Sequence, residues 1–263
     1  MHIVVCIKQV PDAAQVKIDP ITNTLDRSSA PAILNPYDEH AVEAAIAIKK
    51  QFGGKVSVIS MGPMMAKDII KKCISMGADA GYLLSDRSFA GSDTLATSYI
   101  LTMGIKKIME ADPVDLVLCG KQAVDGDTAQ VGPGIARRLN FPVLTYVQKV
   151  ESIEAGTIIV QRKMDNGYEI VSCPLPCLLT VEKDISELGY ASLPEMIRAA
   201  KYDVITWGVN IIAADTTKMG LKGSPTSVRK IFAPEERVGG EPLEGDIKTV
   251  TGILVSKVME KLS

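Results

Sequence analysis

The stretch DLVLCGKQAVDGDTAQVGPGIARRL, residues 115–139, sets out the fold in its own order. The apolar run DLVLC reads as a buried strand, the glycine-bearing GKQAVDGDTAQ as a loop, and VGPGIARRL as a helix. Strands that pass through such loops into helices build parallel sheets, and the loop then lies at the strand's carboxyl end, where open α/β sheets bind ligands. Asp125 and Asp127 raise a question, because a helix start attracts anions and carboxylates repel them. Read locally, Asp127 caps the following helix, whose first N–H groups meet a phosphate together with the Thr128 hydroxyl. Asp125 is then an acceptor for a sugar hydroxyl.

The same rhythm extends on both sides. Apolar runs at 2–7 (HIVVCI), 56–60 (VSVIS), 80–84 (AGYLL) and 143–147 (VLTYV) alternate with longer helical segments. One helix is expected from about Asp38 to Phe52, closed by Gly53 and Gly54; a second opens at Pro63 and stops at Gly77; a third runs from about Ser92 to Met109. Beyond 147 the period becomes two. TIIVQRK (157–163) and YEIVS (168–172) flank a hairpin turn at Asp165-Asn166-Gly167, and CLLTVE (177–182) follows, which predicts an antiparallel extension of the sheet. From about 203 the chain turns polar and rich in Gly and Pro (216–227 and 233–246) before a last helix, IKTVTGILVSKVMEKL. That helix has an apolar stripe of Val250, Ile253, Leu254, Val258 and Leu262, to be covered by its own domain or by a partner subunit. The expected division is an α/β domain over 1–200 and an extended arm with its helix over 201–263.

Composition removes several classes of function. With 263 residues the chain is long enough to bury a large core without metal or disulfide staples, and its net charge of -2 offers no footprint for nucleic acid. The N-terminus has no basic region before its apolar run, and no stretch approaches the roughly 18 apolar residues of a membrane span. A cytoplasmic protein is expected. Five cysteines, an odd number in apolar contexts, suit a reducing compartment, and with two histidines no zinc set has usable spacing, so no metal is expected. No GxGxxG follows the first strand, and neither a P-loop nor a GxSxG elbow is present.

What remains is a set of loops at one sheet edge: Cys6 to Gln9, including Lys8; Ser60 to Pro63, including Met61 and Gly62; Gly91 to Thr94; and Gly120 onward. Taken singly, Pro63, Ser92 and Asp127 are helix caps. Their convergence on one edge argues for a bound anionic ligand.

Five segments are similar to one known family: NPYDEHAVEAA (35–45), SMGP (60–63), MGADAG (76–81), DLVLCGKQAVDGDTAQVGP (115–133) and VQRKMDNGYEIVSCPLPCLLT (160–180). Together they resemble the beta (small) subunit of electron-transfer flavoproteins, in particular its electron-bifurcating and nitrogen-fixation branch. The resemblance covers nearly the whole chain; Asn166 stands where an acidic residue or Gly is more usual. It implies a Rossmann-like parallel sheet of the adenine-nucleotide-binding type with a C-terminal arm. It also implies a heterodimer with an alpha subunit that carries its own FAD.

The matching cofactor positions are Cys6, Lys8, Asn35, Pro36, Tyr37, Asp38, Met61 and Gly62. They continue through Ser92, Asp93, Thr94 and Thr97 to the loop of Gly120, Lys121, Gln122, Ala123, Val124, Asp125, Gly126, Asp127, Thr128, Ala129, Gln130 and Val131. Ordinary members hold structural AMP there, whereas bifurcating members hold a second FAD that takes hydride from NADH. The run DGDTAQVGP, with small residues at Gly126 and Ala129, resembles the latter, and no side chain is expected to act as acid or base. Partners implied are ferredoxin or flavodoxin, and a flavin dehydrogenase of the acyl-CoA, enoyl-CoA reductase or lactate type. Tyr190, Leu193 and Pro194 resemble the family's docking loop for that dehydrogenase. Such a subunit is an oxidoreductase within its complex and inactive alone. A stand-alone adenine-nucleotide module of the universal-stress type is the rival from another class, and the long tail speaks against it.

Overall fold

The computed structural model describes residues 1–12, 17–19, 24–26, 31–227, 240 and 242–262. In chain order the strands are β1 (His2–Cys6), β2 (Gln9–Pro11), β3 (Lys17–Asp19), β4 (Thr24–Asp26), β5 (Ala32–Leu34), β6 (Lys55–Met61), β7 (Ala80–Leu84), β8 (Leu116–Gly120), β9 (Val143–Glu154), β10 (Thr157–Met164), β11 (Gly167–Pro174), β12 (Cys177–Val181) and β13 (Ile205–Trp207). The helices are α1 (Pro36–Phe52), α2 (Lys67–Met76), α3 (Thr94–Met109), α4 (Val131–Leu139), α5 (Leu193–Lys201), the short α6 (Gly220–Gly223) and α7 (Ile247–Leu262).

Nine strands form one sheet in the order β11-β10-β9-β12-β8-β1-β6-β7-β13. From β9 to β13 every pairing is parallel; β9-β10-β11 is antiparallel. Because side chains alternate across a strand, Ile3 and Val5 join one core with Ala41 and Ile70 of α1 and α2, while Val4 and Cys6 join another with Ile100 and Ile135 of α3 and α4. Helices therefore cover both faces of the parallel part, and its central strands are buried throughout. Ile100, Leu116, Leu118 and Ile135 are fully buried, each a stabilisation of roughly 1.5–3 kcal/mol.

Three expectations need correction. CLLTV is not part of the antiparallel extension: β12 lies between β8 and β9 and runs parallel to both, with all five residues buried. Its unbroken apolar run is the mark of a strand covered on both faces, which nearness in sequence to the hairpin had masked. The antiparallel part is the hairpin itself, β10 and β11, joined at Asp165 and Asn166 and continued by a β9 that extends to Glu154. Third, the polar segment after 203 contributes a strand. β13 pairs parallel with β7, and the Trp207 and Tyr82 rings lie 4.6 Å apart. The compact unit accordingly runs from Met1 to Arg229, past the expected boundary at 200.

Lys230–Ser263 forms a separate unit, and 228–239 of the expected arm lies outside the described residues. Within it, α7 forms over 247–262 as its period predicts, started by Asp246 Oδ1 accepting from Thr249 N at 2.9 Å. No residue of this helix is buried; Leu254, Val258 and Leu262 of the stripe are exposed.

Candidate nucleotide-binding site

A cavity of about 480 Å³ opens at the carboxyl ends of β1, β6 and β8, on the face covered by α3 and α4. Its size is that of a small-molecule site. Cys6 and Cys119 are register partners on β1 and β8 and stand together on its floor, with Met61 from β6 and Leu101 from α3. Both thiols are buried, and the hydrogen bond with Cys6, then burial, pushes the Cys119 thiol well up, so the floor is neutral.

Asn35 organises the opposite wall. It is 1% exposed, its Nδ2 donates to Gln122 O at 2.9 Å, and its Oδ1 accepts from Val124 N at 3.2 Å. One side chain thus fixes the start of the 120–130 loop against the start of α1, 87 residues away in sequence. Asp38, 6% exposed, works beside it: Oδ2 accepts from Lys8 N at 2.8 Å and Oδ1 from Gly120 N at 3.2 Å. These bonds tie the ends of β1 and β8 to α1. Burial raises the Asp38 carboxyl to about 7 against the hydrogen bonds it accepts. Gly120 is required at this junction, since a Cβ there would run into the Asp38 carboxylate and, at 2.6 Å, the Tyr37 Cβ.

The loop itself departs from the local reading. Asp127 does not cap α4: that helix starts at Val131 with Gln130 before it and no side-chain cap, while Asp127 sits at φ 50° and accepts from Gln122 Nε2 at 2.7 Å. Ala129 is also left-handed, at φ 53°, so the loop turns twice before the helix begins. Asp125 holds the Lys8 ammonium through both carboxylate oxygens at 2.7 Å, joining the loop to the end of β1. The acids are therefore engaged with protein groups, which reconciles them with a phosphate-binding loop. The first turn of α4, with Val131 and Gly132 in the cavity wall, leaves helical N–H groups without intrahelical acceptors.

Of the expected residues, Cys6, Lys8, Asn35, Asp38, Met61, Ser92, Asp93, Thr94 and Thr97 line the cavity. From the loop, Gly120, Lys121, Gln122, Ala123, Gly126, Thr128, Ala129, Gln130 and Val131 join them. Pro36, Tyr37, Gly62, Val124, Asp125 and Asp127 stand behind or beside this lining. Gly62 N donates to Leu84 O at 3.1 Å, and Tyr37 packs under Lys121 and Lys183, whose ammonium groups lie 5.9 and 5.0 Å from its ring. Asp93, not Ser92, caps α3, accepting from Leu95 N and Ala96 N. Ser92 Oγ donates to Phe89 O and accepts from Gly220 N, and Asp93 Oδ2 accepts from Thr226 N and Oγ1, so both anchor the 220–226 segment. Ile7, Leu101, Cys119 and Gly132 complete the lining unanticipated. The register of β1 with β8 would have pointed to Cys119, since Cys6 was already placed.

Residues 22–211 match the model of the electron transfer flavoprotein domain. The chain belongs to the electron transfer flavoprotein family. It is 50% identical over 240 residues to protein FixA of Azotobacter vinelandii, covering 90% of this chain and 85% of that one. It is 48% identical over 263 residues to the caffeyl-CoA reductase-Etf complex subunit CarD of Acetobacterium woodii, with 99% of each covered. The electron transfer flavoprotein subunit beta of Megasphaera elsdenii is 44% identical over 266 residues, 100% and 98% covered. This family member is thus similar to beta subunits along their whole length, and to the Fix and reductase-complex branch among them. Among the described residues no helix is long and apolar enough to cross a membrane.

Proposed function

We propose that this chain is the beta subunit of a heterodimeric electron-transfer flavoprotein that holds FAD in the 480 Å³ cavity and serves NADH-dependent electron bifurcation. The observation that supports FAD over AMP is the cavity's two-part lining. The loop and the start of α4 offer N–H groups for a pyrophosphate, and the floor of Cys6, Met61, Leu101 and Cys119 is an apolar bed for a flat ring. A Cβ on Gly126 would meet no protein atom within 4 Å, so the space beside it is open to ligand.

When bound, FAD supplies the chemistry: hydride acceptance from NADH, and delivery of electrons to the alpha-subunit FAD with its flavin dehydrogenase and to ferredoxin or flavodoxin. The protein's part is placement. Asn35 and the Lys8–Asp125 pair hold the loop in its ligand-facing form, Asp38 joins the strand ends, and the neutral floor excludes water from one end of the ligand.

The reading is tested by denaturing the purified heterodimer and counting what is released. Two FAD per heterodimer and no AMP are expected; one FAD with one AMP would replace the proposal by the ordinary, structural role.

We also propose the dehydrogenase contact at the start of α5. Leu193 is 70% exposed, Tyr190 is fully exposed, and Met196 and Ile197 extend the apolar face; Pro194 stiffens the first turn, which Ser192 caps. Leu193→Ala should weaken electron delivery to the dehydrogenase about tenfold, the loss of a single apolar anchor, while NADH reduces the heterodimer at an unchanged rate. An equal fall in both rates would remove Leu193 from the docking face.

A further inference from the structure

A second cavity, of about 640 Å³, lies between α3, α4 and the 217–225 segment. Its floor is apolar, made by Leu95, Tyr99 and Met103, and four cations surround it: Lys106, Arg138, Lys218 and Lys222. No Asp or Glu among the described residues lines it. In a chain of net charge -2 this is a local concentration of positive charge.

Little nearby neutralises it. Lys106 and Lys222 meet no carboxylate among the described residues. Arg138 donates to two neutral acceptors, Gly134 O at 3.1 Å and Leu95 O at 3.2 Å, which orient the guanidinium and leave its charge. Lys218 lies 3.4 Å from Asp215 and 5.8 Å over the Tyr99 ring. The wall is built rather than loose: Asp215 N donates to Tyr99 Oη at 2.8 Å, and Asp93 N to Ser224 Oγ at 2.8 Å.

We propose that this cavity is the docking face for an acidic electron-carrier protein that presents carboxylates around an apolar contact. An apolar centre with a charged rim is the anatomy of a transient interface, and exposed lysines of one sign raise the rate of encounter with an acidic partner. Position specifies the kind of partner. Leu95 lines this cavity while Thr94 and Thr97, on the same turns of α3, line the nucleotide cavity, so a protein docked here stands one helix from that ligand. The acidic character follows from charge alone; the choice of an electron carrier rests on the function proposed above.

The experiment uses the whole heterodimer and the double variant Lys106→Glu with Lys222→Glu, neither residue touching the nucleotide cavity. Binding of purified acidic ferredoxin and flavodoxin is measured at low and at physiological salt, with no electron donor present. At least one carrier is expected to bind at least tenfold more weakly to the variant at low salt, with a flatter salt dependence, and released ligand and alpha-subunit association should match the parent. The single Lys222→Gln variant should show a smaller loss in the same direction. Carrier affinity unchanged in both variants would overturn the proposal. So would dissociation of the alpha subunit in both, which would assign the face to the heterodimer. Because binding is read without electron flow, it is judged separately from the flavin count.

Discussion

Gly126→Trp is expected to yield a folded heterodimer whose cavity has lost its ligand. An added Cβ at Gly126 meets nothing within 4 Å, so the indole has no protein atom to displace near its root and extends into space that the ligand needs. Overpacking of about 1–3 kcal/mol then falls on the complex with ligand rather than on the fold, a loss of roughly tenfold to a hundredfold in affinity. Far-ultraviolet dichroism and the thermal midpoint of the ligand-free protein should be close to those of the parent, and released flavin or AMP from this subunit should fall toward zero. Parent-like ligand content would show that the loop does not enclose the ligand. The prediction holds for either ligand, so it tests the site independently of the choice between FAD and AMP.

The second large effect concerns Asp38 and pH. Its carboxyl is raised to about 7 in the folded protein from an ordinary value of 3.8. A carboxyl raised on folding binds its proton more tightly in the native state, so it contributes stability below the unfolded value that is lost as pH rises through the folded one. At 1.36 kcal/mol per unit the full span is about 4 kcal/mol, of which about 2 kcal/mol falls between pH 5.5 and 8. His2, whose value burial lowers, pulls the opposite way in part of this window. The comparison is therefore parent minus Asp38→Asn, in which the His2 contribution cancels. The amide cannot accept from both Lys8 N and Gly120 N, so the variant should be less stable by about 1–3 kcal/mol at pH 5.5. The gap should narrow as pH approaches 8. A gap that is constant or widens with pH, in denaturant titrations of the heterodimer, would mean that Asp38 does not change protonation in this range.

Much of the sheet was legible because apolar runs and helical periods are local. β1, β6, β7 and β8 stand where short apolar runs placed them, and α1 to α4 follow their spacing, with Gly53 and Gly77 at helix ends. The convergence of loops at one edge follows from parallel order alone. Register and partner choice were less visible. β12 has the composition of a central strand, yet the hairpin before it suggested an antiparallel neighbour; only packing between β8 and β9 placed it. β13 is three residues in a polar segment, and it exists because β7 offers it an edge. Asp127 looked like a cap because acids near helix starts usually are, but two left-handed residues set the helix start at Val131 and gave the carboxylate to Gln122.

By itself the sequence determined the α/β class, the carboxyl-edge loops, the small residues of the 120–131 segment and the family, all properties of neighbouring residues or of motifs that can be read in line. Tertiary structure alone decided which polar groups are free to meet a ligand. Asp125 is held by Lys8 across 117 residues, Asp93 by Thr226 across 133, and Asn35 holds the loop across 87. The physical reason is that a hydrogen bond is a matter of distance in space, and folding brings together donors and acceptors whose separation along the chain carries no trace of their meeting. The cationic cavity beside α3 arises in the same way, from Lys106, Arg138 and Lys222, which share no local pattern and become one surface only when α3, α4 and the 217–225 segment pack together.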